Sequence, residues 1–260
     1  MNHFVVIVTG STKGIGLSTA EKLIEAGASV VIHGRDERKL NEILEKYDSV
    51  RHRVAGVLGD IRNPETGMNI VRTAVEKFGT VHTLINNAGA VKDGLLYKMS
   101  NEQFTDIIDI HVNGNFYCTK PFVQFLKRNK QHGHIINITS ESGLLGNIGQ
   151  VNYSAAKAAV VGMTYTLAKE LKRDGIIVNA IAPLALTDMT RPFVEKAKQK
   201  AMETGEPLDP MWDIGSAEDV AQFIVSLIKR GDMNQSGKIF GVNGKEITYW
   251  HPPKKVPFSE

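Results

Sequence analysis

Residues 4–16 read FVVIVTGSTKGIG. A β-branched run ends at Gly10 in a turn with glycines at 10, 14 and 16, and an amphipathic stretch follows near 15–26. The order is strand, glycine turn, helix. Glycines at such a junction permit a tight turn and close backbone approach, and the helix N-terminus attracts phosphate. With 24 glycines in the chain the spacing alone is a weak signal, so its position decides. A Walker phosphate loop is excluded, because no Gly-Lys-Ser/Thr follows at the required spacing.

Working outward, the same alternation continues. Short β-rich runs at 4–9, 29–33, 53–58, 81–86, 134–139, 176–181 and 238–242 read as strands. Amphipathic stretches near 15–26, 36–47, 64–78, 101–126, 152–173 and 217–230 read as helices. Near-continuous apolar strands separated by helices indicate a parallel sheet covered on both faces. The expected fold is therefore α/β: a Rossmann-type doubly wound sheet of about seven mostly parallel strands flanked by helices. No repeat, low-complexity tract or linker divides the chain, so 1–260 is taken as one domain.

One long irregular region, 184–214, carries Met189, Phe193, Met202, Met211 and Trp212 among charges and prolines. Such an insertion after a strand's C-terminal end is often a lid over a ligand. A surface excursion with its own small core is the alternative. The Pro-rich tail HPPKKVPFSE reads as disordered or as lying on a partner subunit.

Composition narrows the class. Apolar residues at 42% and charged residues at 23% exclude a disordered chain. A net charge of +3, with Lys and Arg spread along the chain, gives no ground for a nucleic-acid partner. Cys118 is the only cysteine, so there is no internal disulfide and no C-x-x-C metal or redox site. No metal is expected. The N-terminal apolar run is too short for a signal sequence and no run approaches a membrane span, so the expected location is the cytoplasm.

Charge also bears on the nucleotide. NAD enzymes of this architecture place a carboxylate at the end of the second strand, on the ribose 2′-hydroxyl. Here that end reads VVIHGRD, with Gly34 at the carboxylate's place and Arg35 next; Lys13 is a second cation within reach. A 2′-phosphate needs cations and is repelled by a carboxylate, so NADP(H) is favoured over NAD(H).

The sequence YSAAKAAVVGMTYTLAK holds Tyr-x-x-x-Lys twice, as Tyr153/Lys157 and Tyr165/Lys169. The i,i+4 spacing puts each pair on one helix face. Tyr165 lies twelve residues further on, about 18 Å along the helix, toward the opposite edge of the sheet.

These motifs, in order, resemble the short-chain dehydrogenase/reductase family over essentially the whole chain. TGSTKGIG is similar to its cofactor turn, which implies Gly10, Ser11, Thr12, Lys13, Gly14, Ile15 and Gly16 as cofactor contacts. GD at 59–60 resembles its adenine-contacting motif, giving Asp60 and Ile61. NNAG at 86–89 resembles its fourth-strand motif, giving Asn87, Ala88 and Gly89. ITSESGLLGNIGQVNYSAAKAA resembles its catalytic segment. The resemblance implies Tyr153 as acid/base, Lys157 as ribose holder and the group that lowers the Tyr153 pKa, and Ser140, thirteen residues earlier, as the hydrogen-bond partner of the substrate oxygen. Ser142 is its rival; the thirteen-residue spacing favours Ser140. Tyr165 has Asn152 at that spacing, which stands at a helix start, so the second pair reads as packing.

NNAGAVKDGLLYKMS and GNIGQVNYSAAK look most like 3-oxoacyl-(acyl-carrier-protein) reductases and the 3-hydroxyacyl-CoA dehydrogenase modules of multifunctional proteins. The resemblance implies an oxidoreductase acting on a carbonyl or secondary alcohol, thioester-linked substrates among them, and a homotetramer or homodimer. For a carrier-linked substrate, LKRNK (126–130) and KELKR (169–173) offer positive charge at the entrance. A catalytically silent NADP(H)-binding sensor or structural subunit is the competing reading, although such a protein needs none of Ser140, Tyr153 and Lys157.

There are departures from the family pattern. Members carry Asn-Leu-x-Gly-x-Phe on the fourth crossover helix, with the asparagine linking the lysine to solvent. Anchoring IIDIHVNGNFY on Gly114 and Phe116 puts His111 in that place, with Asn113 about 200° away on a helix. A histidine there can hold a water and carry a proton near neutrality, or fill the asparagine's space. Leu184 stands where Pro-Gly is common, with one residue fewer before Thr187, the expected nicotinamide-side contact. Lys245 follows Gly244 where a second glycine is usual.

Overall fold

The computed structural model describes residues 1–209 and 212–257. Its elements are β1 (Val5–Val8), α1 (Gly14–Glu25), β2 (Ser29–Gly34), α2 (Glu37–Lys46), β3 (Val54–Leu58), α3 (Pro64–Phe78), β4 (Thr83–Asn86), α4 (Asn101–Ile108) and α5 (Gly114–Asn129). Then follow β5 (Gly133–Ile138), α6 (Ser142–Leu145), α7 (Val151–Glu170), β6 (Ile176–Leu186), α8 (Arg191–Thr204), β7 (Gly215–Ser216), α9 (Ala217–Arg230), β8 (Ile239–Asn243) and β9 (Glu246–Trp250).

The sheet order is β3-β2-β1-β4-β5-β6-β8-β9, with the short β7 paired to the end of β6. All neighbours are parallel except β8 and β9. The connection reverses direction between β1 and β4, and a doubly wound sheet opens a crevice at that point beyond the strands' carboxyl ends. The inner strands are apolar on both faces because helices cover both. Ala20, Leu23 and Ile24 of α1 join Leu40 and Ile43 of α2 and Ile224 and Leu227 of α9 on one face. Ile70 and Ala74 of α3 join Phe122 and Leu126 of α5 on the other.

The seven expected strands are present, and two more adjoin them. β9 is reached by a two-residue turn at Gly244 and Lys245, where Gly244 has φ +56. A glycine opening such a turn is a hairpin signal, and Ile247 and Tyr249 alternate behind it. The expected helix at 101–126 is α4 and α5 joined by a π-helical turn, Asp109–Asn113. The region 184–214 is less irregular than expected. β6 runs to Leu186 because β8 pairs with it through Leu184, and α8 follows, with Pro192 in its first turn. Met211 lies outside the described residues, as do 258–260 of the tail; residues 251–257 have no regular structure. Among the described residues no helix is long and apolar enough to cross a membrane.

Candidate active site

A cavity of about 850 Å³ opens beyond the carboxyl ends of the parallel strands. It lies at the switch point, where the topology predicts a ligand crevice. The glycine turn forms its floor. Gly10 has φ +61, and a Cβ there would stand 2.7 Å from Ala88 Cα, so no other residue fits without moving the fourth-strand loop. Asn87 fastens that loop to the turn: its side-chain amide donates to the Thr9 and Gly10 carbonyls (2.9 and 3.0 Å). Thr9 Oγ1 accepts the Asn87 and Ala88 amides at 2.9 and 3.0 Å.

Helix α1 begins without a cap. Lys13 makes no side-chain capping bond and the first turn contains no acid. Its first amides are thus left for an anion, which the helix dipole also favours. Thr12, Lys13, Gly14 and Ile15 line the cavity, whereas Ser11 and Gly16 lie behind its wall. Ser11 is fully buried and its hydroxyl donates to the Val8 carbonyl at 2.7 Å. Gly16 packs on Asn87 and the Gly10 carbonyl. Thr187 adjoins Gly14 and lines the cavity with it.

At the end of β2, a Cβ on Gly34 would collide with the Thr12 side chain, so the position holds no carboxylate without displacing Thr12. Arg35 is 61% exposed and lies only 3.9 Å from Asp60. The neighbouring acid, Asp36, is engaged in capping α2, accepting the Lys39 amide at 3.1 Å. Asp60 is gripped by Arg62, whose Nε and Nη2 reach it at 2.7–3.1 Å. That guanidinium holds the Asp60 carboxyl below the usual carboxylate range. Asp60 and Ile61 line the cavity with Asn87, Ala88 and Gly89.

The chemistry-bearing side chains converge at the other end. Ser140 follows β5, and Tyr153 and Lys157 come from the first turns of α7; all three line the cavity with His111. Burial pushes the Tyr153 phenol up to about 12, and the neighbouring Ser140 hydroxyl works against that rise. Lys157 is 4% exposed, and its Nζ donates to the Ile138 carbonyl at 2.7 Å. Loss of hydration brings the ammonium down to about 7. Lys157 Nζ sits over the Tyr153 ring, 5.5 Å from its centroid, with a donor turned to the Ile138 carbonyl.

His111 lies in the π-helical turn. Such single turns of wider helix recur at functional sites because they turn one side chain inward. The ring meets Tyr153 edge-on, 5.3 Å between centroids at 86°. Its Nε2 lies 2.8 Å from the Ala90 carbonyl, and Gly89 packs against its Cε1. Burial, with the Lys157 charge second, pushes the imidazole down to about 3. Burial thus favours the neutral ring, and Nε2 faces both the Ala90 carbonyl and, at 3.3 Å, the Ala90 N–H. Asn113 is turned elsewhere, donating to Asp109 at 2.7 Å.

The decoys separate cleanly. Tyr165 packs with Val161, Ala180 and Ile239 beside Trp250, and Lys169 is exposed. Ser142 lines the cavity, but its hydroxyl is tied to Gln150 at 2.9 Å. The basic segments 126–130 and 169–173 do not flank the entrance. They precede the N-terminal ends of β5 and β6, at the sheet edge opposite this chain's cavity.

Three residues went unassigned in the sequence reading. Asn152 is fully buried; its amide donates to the Lys92 and Gln103 carbonyls at 2.9 and 3.1 Å and its oxygen accepts the Tyr153 N–H at 2.7 Å, fixing the start of α7. Glu141 lines the cavity beside Ser140, with its carboxyl raised by burial. His33 lies beneath the glycine turn, and its one visible sign is a lone polar residue in the apolar strand SVVIH.

The sequence pattern of the short chain dehydrogenases matches residues 4–198. A 3-oxoacyl-[acyl-carrier-protein] reductase of Thermotoga maritima is 32% identical over 240 residues, covering 92% of this chain and 96% of the relative. The (2S)-[(R)-hydroxy(phenyl)methyl]succinyl-CoA dehydrogenase subunit BbsD of Thauera aromatica is 36% identical over 241 residues, covering 92% and 95%. A crystal structure of a short chain dehydrogenase from Mycobacterium avium superposes with a TM-score of 0.82 at 28% identity, covering all of this chain and 88% of that one. A Bacillus anthracis short chain dehydrogenase gives 0.82 at 29% identity, covering 94% and 96%. With its glycine turn, its order of strands and its Ser140, Tyr153 and Lys157 gathered in one cavity, this chain belongs to the short-chain dehydrogenase family.

Proposed function

We propose that this protein is an NADP(H)-dependent oxidoreductase that reduces a ketone, with 3-oxoacyl thioesters as the favoured substrate class. The single observation that carries the reading is the convergence in one cavity of Ser140, Tyr153 and Lys157 with an uncapped, glycine-lined helix N-terminus. When bound, the nicotinamide supplies or receives the hydride. Everything else falls to the chain. The amides of Gly14 and Ile15 hold phosphate, Asp60 and Ile61 border the adenine, and Arg35 with Lys13 answers a 2′-phosphate. The blocked carboxylate position at Gly34 supports NADP(H) over NAD(H).

At the reacting end, the Ser140 and Tyr153 hydroxyls receive the carbonyl oxygen. A phenol held near 12 keeps its proton at neutral pH and is poised to give it to an alkoxide forming above it, the direction that reduction needs. The Ser140 hydroxyl steadies the phenolate that remains. Lys157, near 7, can return a proton at neutral pH and is placed to hold the ribose. His111 acts as a neutral positioning residue for the Tyr153 ring.

The thioester reading draws on the apolar walls. Leu145, Met189, Phe193 and Trp212 line the cavity, and Leu95, Leu96, Tyr97 and Ile148 are exposed on the flanking loops. Two of the named relatives act on thioesters of different carriers. The 184–214 region, with α8, serves as a lid in this reading, since Met189 and Phe193 reach the cavity from it. The exposed small residues Ala155 and Gly162 on α7 suit a close-packed second copy in a homodimer or homotetramer. The test is NADPH oxidation with acetoacetyl-CoA, ethyl acetoacetate, a cyclic ketone and a steroid ketone, repeated with NADH. Turnover of acetoacetyl-CoA with NADPH at higher kcat/KM than with NADH supports the proposal. No turnover of any ketone, or a preference for NADH, refutes it.

A further inference from the structure

His33 occupies a place in the crevice that the reaction chemistry does not use. It is 2% exposed, at the carboxyl end of β2, yet it is among the residues that line the cavity. Its two ring nitrogens serve different turns. Nδ1 accepts the Gly10 N–H at 3.1 Å, and Nε2 stands 3.1 Å from the Gly59 carbonyl. Because an amide N–H can only donate, Nδ1 carries no proton, and the hydrogen sits on Nε2, pointing at Gly59. The backbone of the same residue completes the junction. Its N–H donates to Ser11 Oγ at 3.0 Å, and its carbonyl accepts the Ser11 N–H at 2.8 Å.

One imidazole thus joins the phosphate turn after β1 to the turn after β3 that presents Asp60. Gly10 is the residue whose left-handed backbone opens the glycine turn, and its N–H has no helix or strand partner. Were His33 to become a cation, Nδ1–H would face Gly10 N–H, donor against donor. The charged groups nearest it are Asp60, which favours the cation, and Arg35, which opposes it; burial outweighs both and keeps the ring neutral at physiological pH.

We propose that His33 is a positioning residue for cofactor binding: its Nδ1 orients the Gly10 amide, and with it the phosphate turn, before any dinucleotide arrives. The proposal rests on the reading of this cavity as a nicotinamide-dinucleotide site. Preorganising a loop in its bound form raises affinity by removing the cost of ordering it, so the effect falls on cofactor affinity rather than on turnover. A lost, well-placed hydrogen bond corresponds to roughly tenfold in affinity.

The test titrates NADPH against the full-length protein by its fluorescence, with parallel steady-state kinetics. His33→Asn keeps an acceptor near the Nδ1 position, His33→Gln reaches toward Gly59 and abandons Gly10, and His33→Ala loses both. NADPH Kd is expected to rise about tenfold in His33→Gln and His33→Ala and to stay within about threefold in His33→Asn, with kcat at saturating NADPH unchanged. His134→Asn, a second buried histidine remote from the turn, controls for stability alone and should leave Kd unchanged. Equal Kd values in wild type, His33→Asn and His33→Gln overturn the proposal. If His33→Ala does not fold, the Asn and Gln pair still decides. Wild-type protein that binds neither NADPH nor NADH defeats the cofactor reading instead.

Discussion

Lowering the pH from 7.5 to 5 should unfold this protein, through histidines rather than carboxylates. Burial depresses His33 and His134 to about 4 and His111 to about 3, against an ordinary 6.5. All three are buried: they are 2%, 5% and 4% exposed. His134 is especially poorly placed to gain a proton, since its Nε2 faces the Asn179 amide at 3.2 Å and its buried Nδ1 has no partner. The sign follows from linkage. In the unfolded chain each takes up a proton as pH falls below 6.5, whereas the folded form resists until about 4 or lower. The stabilisation is complete above pH 6.5 and is lost progressively below it. One such group gives a slope of at most about 1.4 kcal/mol per pH unit, and three give at most roughly 4. Over 1.5 units that is of order 6 kcal/mol, comparable with the whole stability of an ordinary domain. Urea midpoints at pH 7.5, 6.5, 5.5 and 5.0, at fixed protein concentration, measure it. His134→Asn removes the titrating ring and should shallow the slope by roughly 1 kcal/mol per pH unit. A flat profile from 7.5 to 5, or an unchanged slope in His134→Asn, would refute the reasoning.

Other expectations are narrower. Gly10→Ala forces a side chain into left-handed backbone and against Ala88 at 2.7 Å, so urea unfolding at pH 7.5 should show a loss of about 2–4 kcal/mol. A loss below about 0.5 kcal/mol would mean the turn yields easily. Arg35→Ala should raise the KM for NADPH about tenfold and leave that for NADH within about twofold, because only the former has a 2′-phosphate to lose. Equal effects on both cofactors would remove Arg35 from that role. His111→Ala should lower kcat by about tenfold or more and Asn113→Ala should not, and the pH–rate profile of the wild type should show no histidine limb between 6 and 7. The reverse pattern in the two variants would show that Asn113, not His111, supports Tyr153.

The parts of this protein that were legible in the sequence are those set by local pattern. The glycine turn declares itself because Gly10 and Gly14 need positive φ and Gly16 needs the space, and all three stand between a β-branched run and an amphipathic one. Tyr153 was separable from Tyr165 by helix rise and by distance from a strand end. What was not legible depends on neighbours distant in sequence. The π-helical turn at Asp109–Asn113 has no composition of its own. The basic runs at 126–130 and 169–173 look identical whether they flank the cavity or the far edge of the sheet, and only the direction of the strands distinguishes the two. Charge states were the least legible. That Lys157 turns to the Ile138 carbonyl, that His111 is too deeply buried to titrate near 7, and that His33 bridges two turns are consequences of packing. β9 lay within reach, since Gly244 precedes an alternating run.

The central claim is that Tyr153 gives the proton while other residues hold the cofactor. It is tested most directly by Tyr153→Phe, which removes one oxygen and leaves the ring that packs on His111. Measured together, NADPH Kd should stay within about threefold of wild type and kcat for ketone reduction should fall by about 10²–10⁴. A Tyr153→Phe enzyme that turns over at the wild-type rate would contradict the account.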